Sequence, residues 1–436
     1  MPGLIFKNLT LLCAQSSLEE KGDLLILDGK IAALGHEAAF HPAAAQARVI
    51  DGSGLIAAPG LIDAHVHLRQ PGQEYKETIA SGTRAAAAGG FSAVLAMANT
   101  NPVNDDAGQT AFLLETAARE GCARVYPVAA ISKGLKGENL TEMATLKDAG
   151  AVAFSDDGRA TANNRLFRKA LEYARGIDLP IICHSEDAAL AAGGVMHEGA
   201  FSARMGLPGI PEASEVLGIV RDILLAEMTG AQIHIAHVSC AASLREIERA
   251  KERGVRVTCE TAPHYLMLCD EDVGDYDTNR KMNPPLRAQS DRAALRAGLK
   301  SGLIDVIATD HAPHSQLEKQ IEFDQAVFGV IGLETSLGVM LQLAAEGLIT
   351  LQQMIALMSA NPARIFKLPG GCLQVGAAAD VVIFNSADSW IVKENGFYSR
   401  SANSPFLNCA LPGRAVYTLC QGRITHSLVD QTIPPA

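Results

Sequence analysis

Two histidines one residue apart, His65 and His67, stand in the run DAHVHLR at 63–69. Residues two apart on a strand point to the same face, so the two imidazoles project together, and imidazole binds zinc-type ions. Alone, such a pair is an ordinary polar strand end. Four further apolar runs close on residues of the same chemistry: AFSDDG on Asp156 and Asp157, IICHSE on His184, IHIAHVS on His237, and IATDHAPH on Asp310. Four histidines and two carboxylates can hold one or two ions of the Zn2+ type with a position left for water. Two such ions lower the pKa of a bridging water and polarise a carbonyl, and a nearby carboxylate can move the proton to a leaving nitrogen, which together describe amide hydrolysis.

Ligands drawn from separate runs need a scaffold that brings the run ends together. From about Leu61 onward, β-rich apolar runs alternate with helical-period segments such as NNRLFRKALEYARG and SLREIERAKERG, the pattern of repeated βα units around a parallel sheet. Strands are predicted at Leu61–Leu68, Phe91–Met97, Arg124–Ile131, Ala151–Ser155, Pro180–Ser185, Gln232–Ser239, Val255–Thr261 and Leu303–Thr309. Eight strands with intervening helices predict an α/β (β/α)8 barrel over residues 59–369, with the active site at the C-terminal ends of its strands. A doubly wound open sheet is the competing architecture, but no G-x-G-x-x-G follows any strand. The two chain ends carry short strand candidates, DLLILDGKIAALG and LIAAPG at one and DVVIFNS and AVYTLCQGRITH at the other. Residues 1–58 and 370–436 are therefore expected to build one small β-sandwich domain.

The 436-residue chain is 48% hydrophobic and 19% charged, the composition of an ordinary globular enzyme. Acidic residues outnumber basic ones 48 to 37, and no Lys/Arg cluster is present to neutralise phosphates, which argues against nucleic acid as a partner. Nine scattered cysteines without a C-x-x-C pair, and a start that lacks a signal-peptide pattern, predict a reduced cytoplasmic setting. No apolar stretch is long enough to span a membrane.

HVHLRQPGQEYKETI, MANTNP, KMNPPLR, DHAPH and GLETSLG resemble the amidohydrolase superfamily, and within it the type I bacterial dihydroorotase branch, over about Asp51 to Arg364. That resemblance implies reversible hydrolysis of (S)-dihydroorotate to N-carbamoyl-L-aspartate in pyrimidine synthesis, by a metal-bridging hydroxide with Asp310 as general base and acid. It assigns His65 and His67 to a first metal with Asp310, and His184 and His237 to a second. Many relatives bridge the ions with a carboxylated lysine; here the bridge is an aspartate, taken as Asp157, 27 residues before His184, with Asp156 as the other choice. The substrate's fixed carboxylate needs a positive planar clamp among these acidic ligands, and Arg69, two residues beyond His67 on the same strand face, is expected to supply it. The resemblance adds Asn99 and His314 as carboxylate partners, and Asn283, Phe328 and Gly329 as ring contacts. A loop over Ser315 to Phe328 is placed to close over the substrate. Relatives form homodimers or assemble with aspartate transcarbamoylase, so either assembly is implied.

Two competing readings are a hydantoinase- or allantoinase-like cyclic amidohydrolase and a silent scaffold subunit of a transcarbamoylase. The absent lysine and the Arg69 clamp argue against the first; the full ligand set argues against the second. His234, three positions before His237, is expected on the opposite strand face as a packed or hydrogen-bonded residue, with His264 and His311 near the barrel mouth.

Overall fold

The computed structural model describes residues 3–429. Its centre is a parallel sheet of eight strands: β1 (Leu61–Val66), β2 (Phe91–Ala96), β3 (Arg124–Ala129), β4 (Ala153–Phe154), β5 (Ile181–Cys183), β6 (Ile233–Ile235), β7 (Val257–Thr261) and β8 (Val306–Ile307). Each pairs with the next in chain order, and a parallel bridge between Val66 and His311 joins the last to the first. Asp63 reinforces that closure by accepting from the His65 and Thr309 N–H groups, both at 3.1 Å. All eight predicted strands are present. All eight are shorter than predicted, seven of them at the C-terminal end, where the chain turns into the barrel mouth before the apolar run ends.

Side chains alternate across the strands as a barrel requires. Ile62, Ala64, Leu95, Val128, Ile182, Ala236 and Val306 fill the interior together with Phe366 and Leu368. Leu61, Val94, Val125, Ile181, Ile233 and Ile235 pack outward against the helices. The helix Asn164–Gly176 shows the local logic: Asn163 caps it by accepting from the Leu166 N–H, and Leu166, Phe167, Ala170, Leu171 and Ala174 form its buried stripe.

The two chain ends share one mixed sheet of eight strands, in which Val381–Ile391 pairs antiparallel with Ile56–Pro59. Phe6, Leu11 and Leu24 from one end share a core with Val381, Ile383 and Leu419 from the other. Residues 1–2 and 430–436 of the expected end domain lie outside the described residues. No helix among the described residues is long and apolar enough to cross a membrane.

Candidate metal centre and substrate cleft

The predicted ligands meet at the C-terminal mouth of the barrel. His65 and His67 reach it because the β1–β2 register shifts between Asp63 and Val66. Ile62 and Ala64 face inward below that irregularity, and the two histidines face inward above it. Strand alternation alone, the basis for pairing them in the sequence, therefore holds only beyond the shift. Asp157, His184, His237 and Asp310 follow β4, β5, β6 and β8 within three residues of each strand's end.

Asp157 is the hub. Its carboxylate oxygens lie 3.3 Å from His65 Nε2, 3.5 Å from His67 Nε2, 3.5 Å from His184 Nδ1 and 3.8 Å from His237 Nε2. Asp310 Oδ1 lies 3.2 Å from His67 Nε2 and 3.6 Å from His65 Nε2. Two donor triads result, His65–His67–Asp310 and His65–Asp157–His237, and His184 Nδ1 adjoins the second at 2.9 Å from His237 Nε2. Asp156 points elsewhere, accepting from the Ile131 and Ser132 N–H groups at 2.8 and 3.0 Å, which leaves Asp157 as the carboxylate among the imidazoles.

This donor set fits divalent ions. His65 Nε2 and Asp157 Oδ1 are buried and make no hydrogen bond of good geometry, an arrangement that costs free energy unless a cation sits between them. Burial alone would raise the Asp157 and Asp310 carboxyls, but the facing histidines hold both well below the usual carboxylate range. Burial likewise disfavours a charged His65, yet Asp157 and Asp310 pull its pKa well up. The cluster thus attracts positive charge, and a proton on His65 stands where a metal would. No lysine lines the cleft among the described residues, so a carboxylated lysine has no place in it.

The imidazoles are oriented from behind. His67 Nδ1 lies 2.8 Å from Asn99 Oδ1, and Asn99 Nδ2 donates to Asp157 Oδ2 at 3.4 Å. Asn99, expected at the substrate carboxylate, lines the cleft while its amide serves His67 and Asp157. Glu260, at the end of β7, lies 3.0 Å from His65 Nδ1 and 3.1 Å from His234 Nε2. Burial would raise its carboxyl, but these two histidines bring it down to about 2. The carboxylate in the run VTCET was passed over in the sequence, although an imidazole or carboxylate near a strand end was the signal used for the other ligands.

His234 corrects a second expectation. It is hydrogen-bonded, to Glu260 and Thr258, but faces the barrel interior beneath the cluster, its ring 5.2 Å from Phe366. The alternation argument fails because His237 adopts φ +36°, in the left-handed region, so two consecutive residues, Ala236 and His237, both turn inward. Arg69 (φ +61°) and Asp310 (φ +48°) share that uncommon conformation. Arg69 accordingly lies beyond the end of β1 instead of on its face. His311 turns away from the cluster, with Nδ1 accepting from the Gly332 N–H and Nε2 3.3 Å from Glu77.

A cleft of about 250 Å³ opens over the cluster, lined by Arg69, Asn99, Asn283, His314, Phe328 and Gly329 together with the cluster residues His67, Asp157, His184, His237 and Asp310. Arg69 is anchored by Pro313 O at 3.2 Å and His314 Nε2 at 3.3 Å. Burial, then the Arg69, Lys76 and Lys319 cations, hold the His314 imidazole far below its usual value, so it is a neutral partner. Asn283 Nδ2 donates to Glu186 at 2.9 Å, a carboxylate not singled out in the sequence.

The family models that match are a dihydro-orotase-like one over residues 54–243 and an amidohydrolase one over residues 224–426. The chain is 50% identical to a dihydroorotase of Citrifermentans bemidjiense over 97% of its length and 99% of that protein's. It is 51% identical to a dihydroorotase of Syntrophotalea carbinolica over 95% of its length and 96% of that protein's. The chain belongs to the dihydroorotase family. It is a cyclic amidohydrolase. Among solved structures, the L-hydantoinase of Arthrobacter aurescens superposes with a TM-score of 0.87 at 26% identity, covering 98% of this chain and 96% of that one. A dihydropyrimidinase of Brevibacillus agri, at 23% identity and a TM-score of 0.85 over 98% of this chain and 95% of that one, shares the fold. Dihydroorotase-family membership and hydantoinase-like architecture therefore coincide in one chain.

Proposed function

We propose that the chain hydrolyses (S)-dihydroorotate reversibly to N-carbamoyl-L-aspartate, the ring-closing reaction of pyrimidine synthesis when run backward. The observation that carries this reading is the single cleft in which the Arg69–His314 pair faces the Asp157–Asp310 cluster. A planar guanidinium matches a carboxylate in two parallel hydrogen bonds, so Arg69 is suited to the substrate's fixed carboxylate while the ring amide lies over the acidic cluster.

His65, His67 and Asp310 would hold one zinc-type ion, and His184 and His237 a second, with Asp157 between them. Such ions, when bound, make a water nucleophilic near neutral pH and polarise the ring carbonyl. Asp310, held as a carboxylate, is the base of the resting site: it accepts the proton of the attacking water and delivers it to the departing ring nitrogen. Asn99 and Glu260 fix the His67 and His65 rings so that the Nε2 atoms face the cluster. Asn283, Phe328 and Gly329 bound the space left for the ring.

The likeness to L-hydantoinase favours a second reading, a five-membered cyclic ureide as substrate. The experiment is ultraviolet assay of the purified chain on dihydroorotate, hydantoin and allantoin, with and without a chelator. Chelator-sensitive turnover of dihydroorotate alone is expected. Turnover of hydantoin or allantoin instead transfers the assignment to the second reading, and silence on all three points to a scaffold subunit.

A further inference from the structure

One wall of the cleft, formed by Ala312, His314 and Gly329, is held by a segment remote in the chain. Asn403 is 4% exposed and aims both its amide oxygen and its amide nitrogen there. Its Oδ1 accepts from the His314 N–H at 3.2 Å, and its Nδ2 donates to Ala312 O and Gly329 O, each at 3.1 Å. Its backbone carbonyl accepts from the Ile331 N–H at 3.1 Å. Both amide donors and one lone pair of the amide oxygen are engaged at three backbone sites, and a carboxylate of the same shape would keep the acceptor and lose both donors.

The packing leaves this wall little freedom. A Cβ placed on Gly329, whose φ is +131°, would lie 2.8 Å from His314 Nε2 and 2.9 Å from Ala312 Cβ. Neighbours of Asn403 moor the same segment to the barrel rim: the Ser399 hydroxyl and the Arg400 N–H bond Glu77, and Ser401 Oγ donates to Lys76 O at 2.8 Å.

We propose that Asn403 is a positioning residue for substrate binding. By clamping the 312–314 backbone to Gly329 it fixes His314, and through His314 the Arg69 guanidinium, where the substrate carboxylate docks. The clamp acts on substrate affinity and leaves the proton transfer at Asp310 intact, because none of its side-chain hydrogen bonds reaches a residue of the metal cluster. The identity of the substrate rests on the dihydroorotate reading; the clamp does not.

The test compares the metal-loaded wild type with Asn403→Ala, Asn403→Asp and, as a control on the same segment, Ser404→Ala, whose hydroxyl accepts from the Phe406 N–H within the segment at 3.3 Å. For Asn403→Ala, KM for dihydroorotate should rise about tenfold or more while kcat stays within about threefold, the signature of lost binding. Hydrogen–deuterium exchange at the His314 amide should accelerate in Asn403→Ala and stay slow in Asn403→Asp, which retains the acceptor. Ser404→Ala should change neither KM nor that exchange. A fall in kcat at constant KM, an unchanged His314 exchange in Asn403→Ala, or an equal KM rise in Ser404→Ala would each overturn the proposal. If the wild type does not turn over dihydroorotate, the substrate reading fails separately, and the exchange measurement still decides the clamp. Should Asn403→Ala not fold, Asn403→Asp decides it by KM, since two of its three bonds are gone.

Discussion

Glu260 Oε1 lies 3.0 Å from His65 Nδ1, at the floor of the metal cluster. With its carboxyl held down to about 2, Glu260 is an acceptor only, so His65 must carry its proton on Nδ1 and present Nε2 to the cluster. The same carboxylate bonds His234, so three buried side chains form one support beneath the site.

Glu260→Gln keeps the volume and removes the charge. Outer partners of this kind typically contribute about 10- to 100-fold in metal affinity. Competition with a chromophoric chelator should show a loss in that range, with activity partly recovered by added metal. Wild-type affinity in the variant would mean that packing alone orients His65.

Asp310→Asn removes the base while keeping a side chain of the same shape beside His67. General acid–base groups contribute about 10²–10⁴-fold, so turnover should fall at least that far. Metal content, measured by elemental analysis, should show the cluster still loaded through the other ligands. Retained turnover in a metal-loaded variant would remove Asp310 from the proton path.

The legible part of this site is the part written at strand ends. A barrel aims the residues after each strand at one mouth, so His184, His237, Asp157 and Asp310 were readable from the apolar runs before them. Asp157 is chosen over Asp156 by the 27-residue spacing to His184 that the family resemblance implies, not by local chemistry; the hydrogen bonds of Asp156 to the Ile131 and Ser132 backbone supply the physical reason. Strand parity misplaced His234 because the left-handed turn at His237 is a tertiary requirement that no local propensity announces for histidine. Asn403 was invisible for another reason: it contacts His314 across 89 residues of chain, and nothing in the run SRSANSPF names the partner. The small β domain was recognisable as strands, whereas the pairing of Val381–Ile391 with Ile56–Pro59 is a long-range register that alternation within either end does not encode.

Lys319 supports the loop that ends at Phe328 and Gly329. It is 3% exposed and its Nζ donates to Lys281 O at 3.3 Å and to Val327 O and Gly329 O at 3.0 Å each. Burial, and then the Lys281 ammonium, bring its pKa down to about 7, whereas an unfolded lysine titrates at about 10.4. Between those values the unfolded chain binds more protons, so this site's contribution to stability rises with pH across the window, and its burial penalty is fully present below about 7. Equilibrium unfolding of the wild type and Lys319→Met at pH 7 and pH 9 should show the difference moving in the wild type's favour at the higher pH, by up to about 1.4 kcal/mol per pH unit. A difference that stays constant over that span would mean that the three carbonyls keep the ammonium charged in the fold.

Arg69→Lys tests the carboxylate clamp apart from charge. Lysine keeps the positive charge but has no planar fork, and it loses the geometry by which Arg69 reaches both Pro313 O and His314 Nε2. A hydrogen bond to a charged group contributes about 1.5–3 kcal/mol, so losing one of two parallel bonds should raise KM for dihydroorotate by about 10- to 100-fold. The metal cluster lies beyond the clamp, so metal content should be unchanged and kcat should fall much less than kcat/KM. Hydantoin, which has no carboxylate, provides the internal contrast: any slow side activity on it should be insensitive to Arg69→Lys. Equal losses on both compounds would show that Arg69 shapes the cleft in general and does not read the carboxylate.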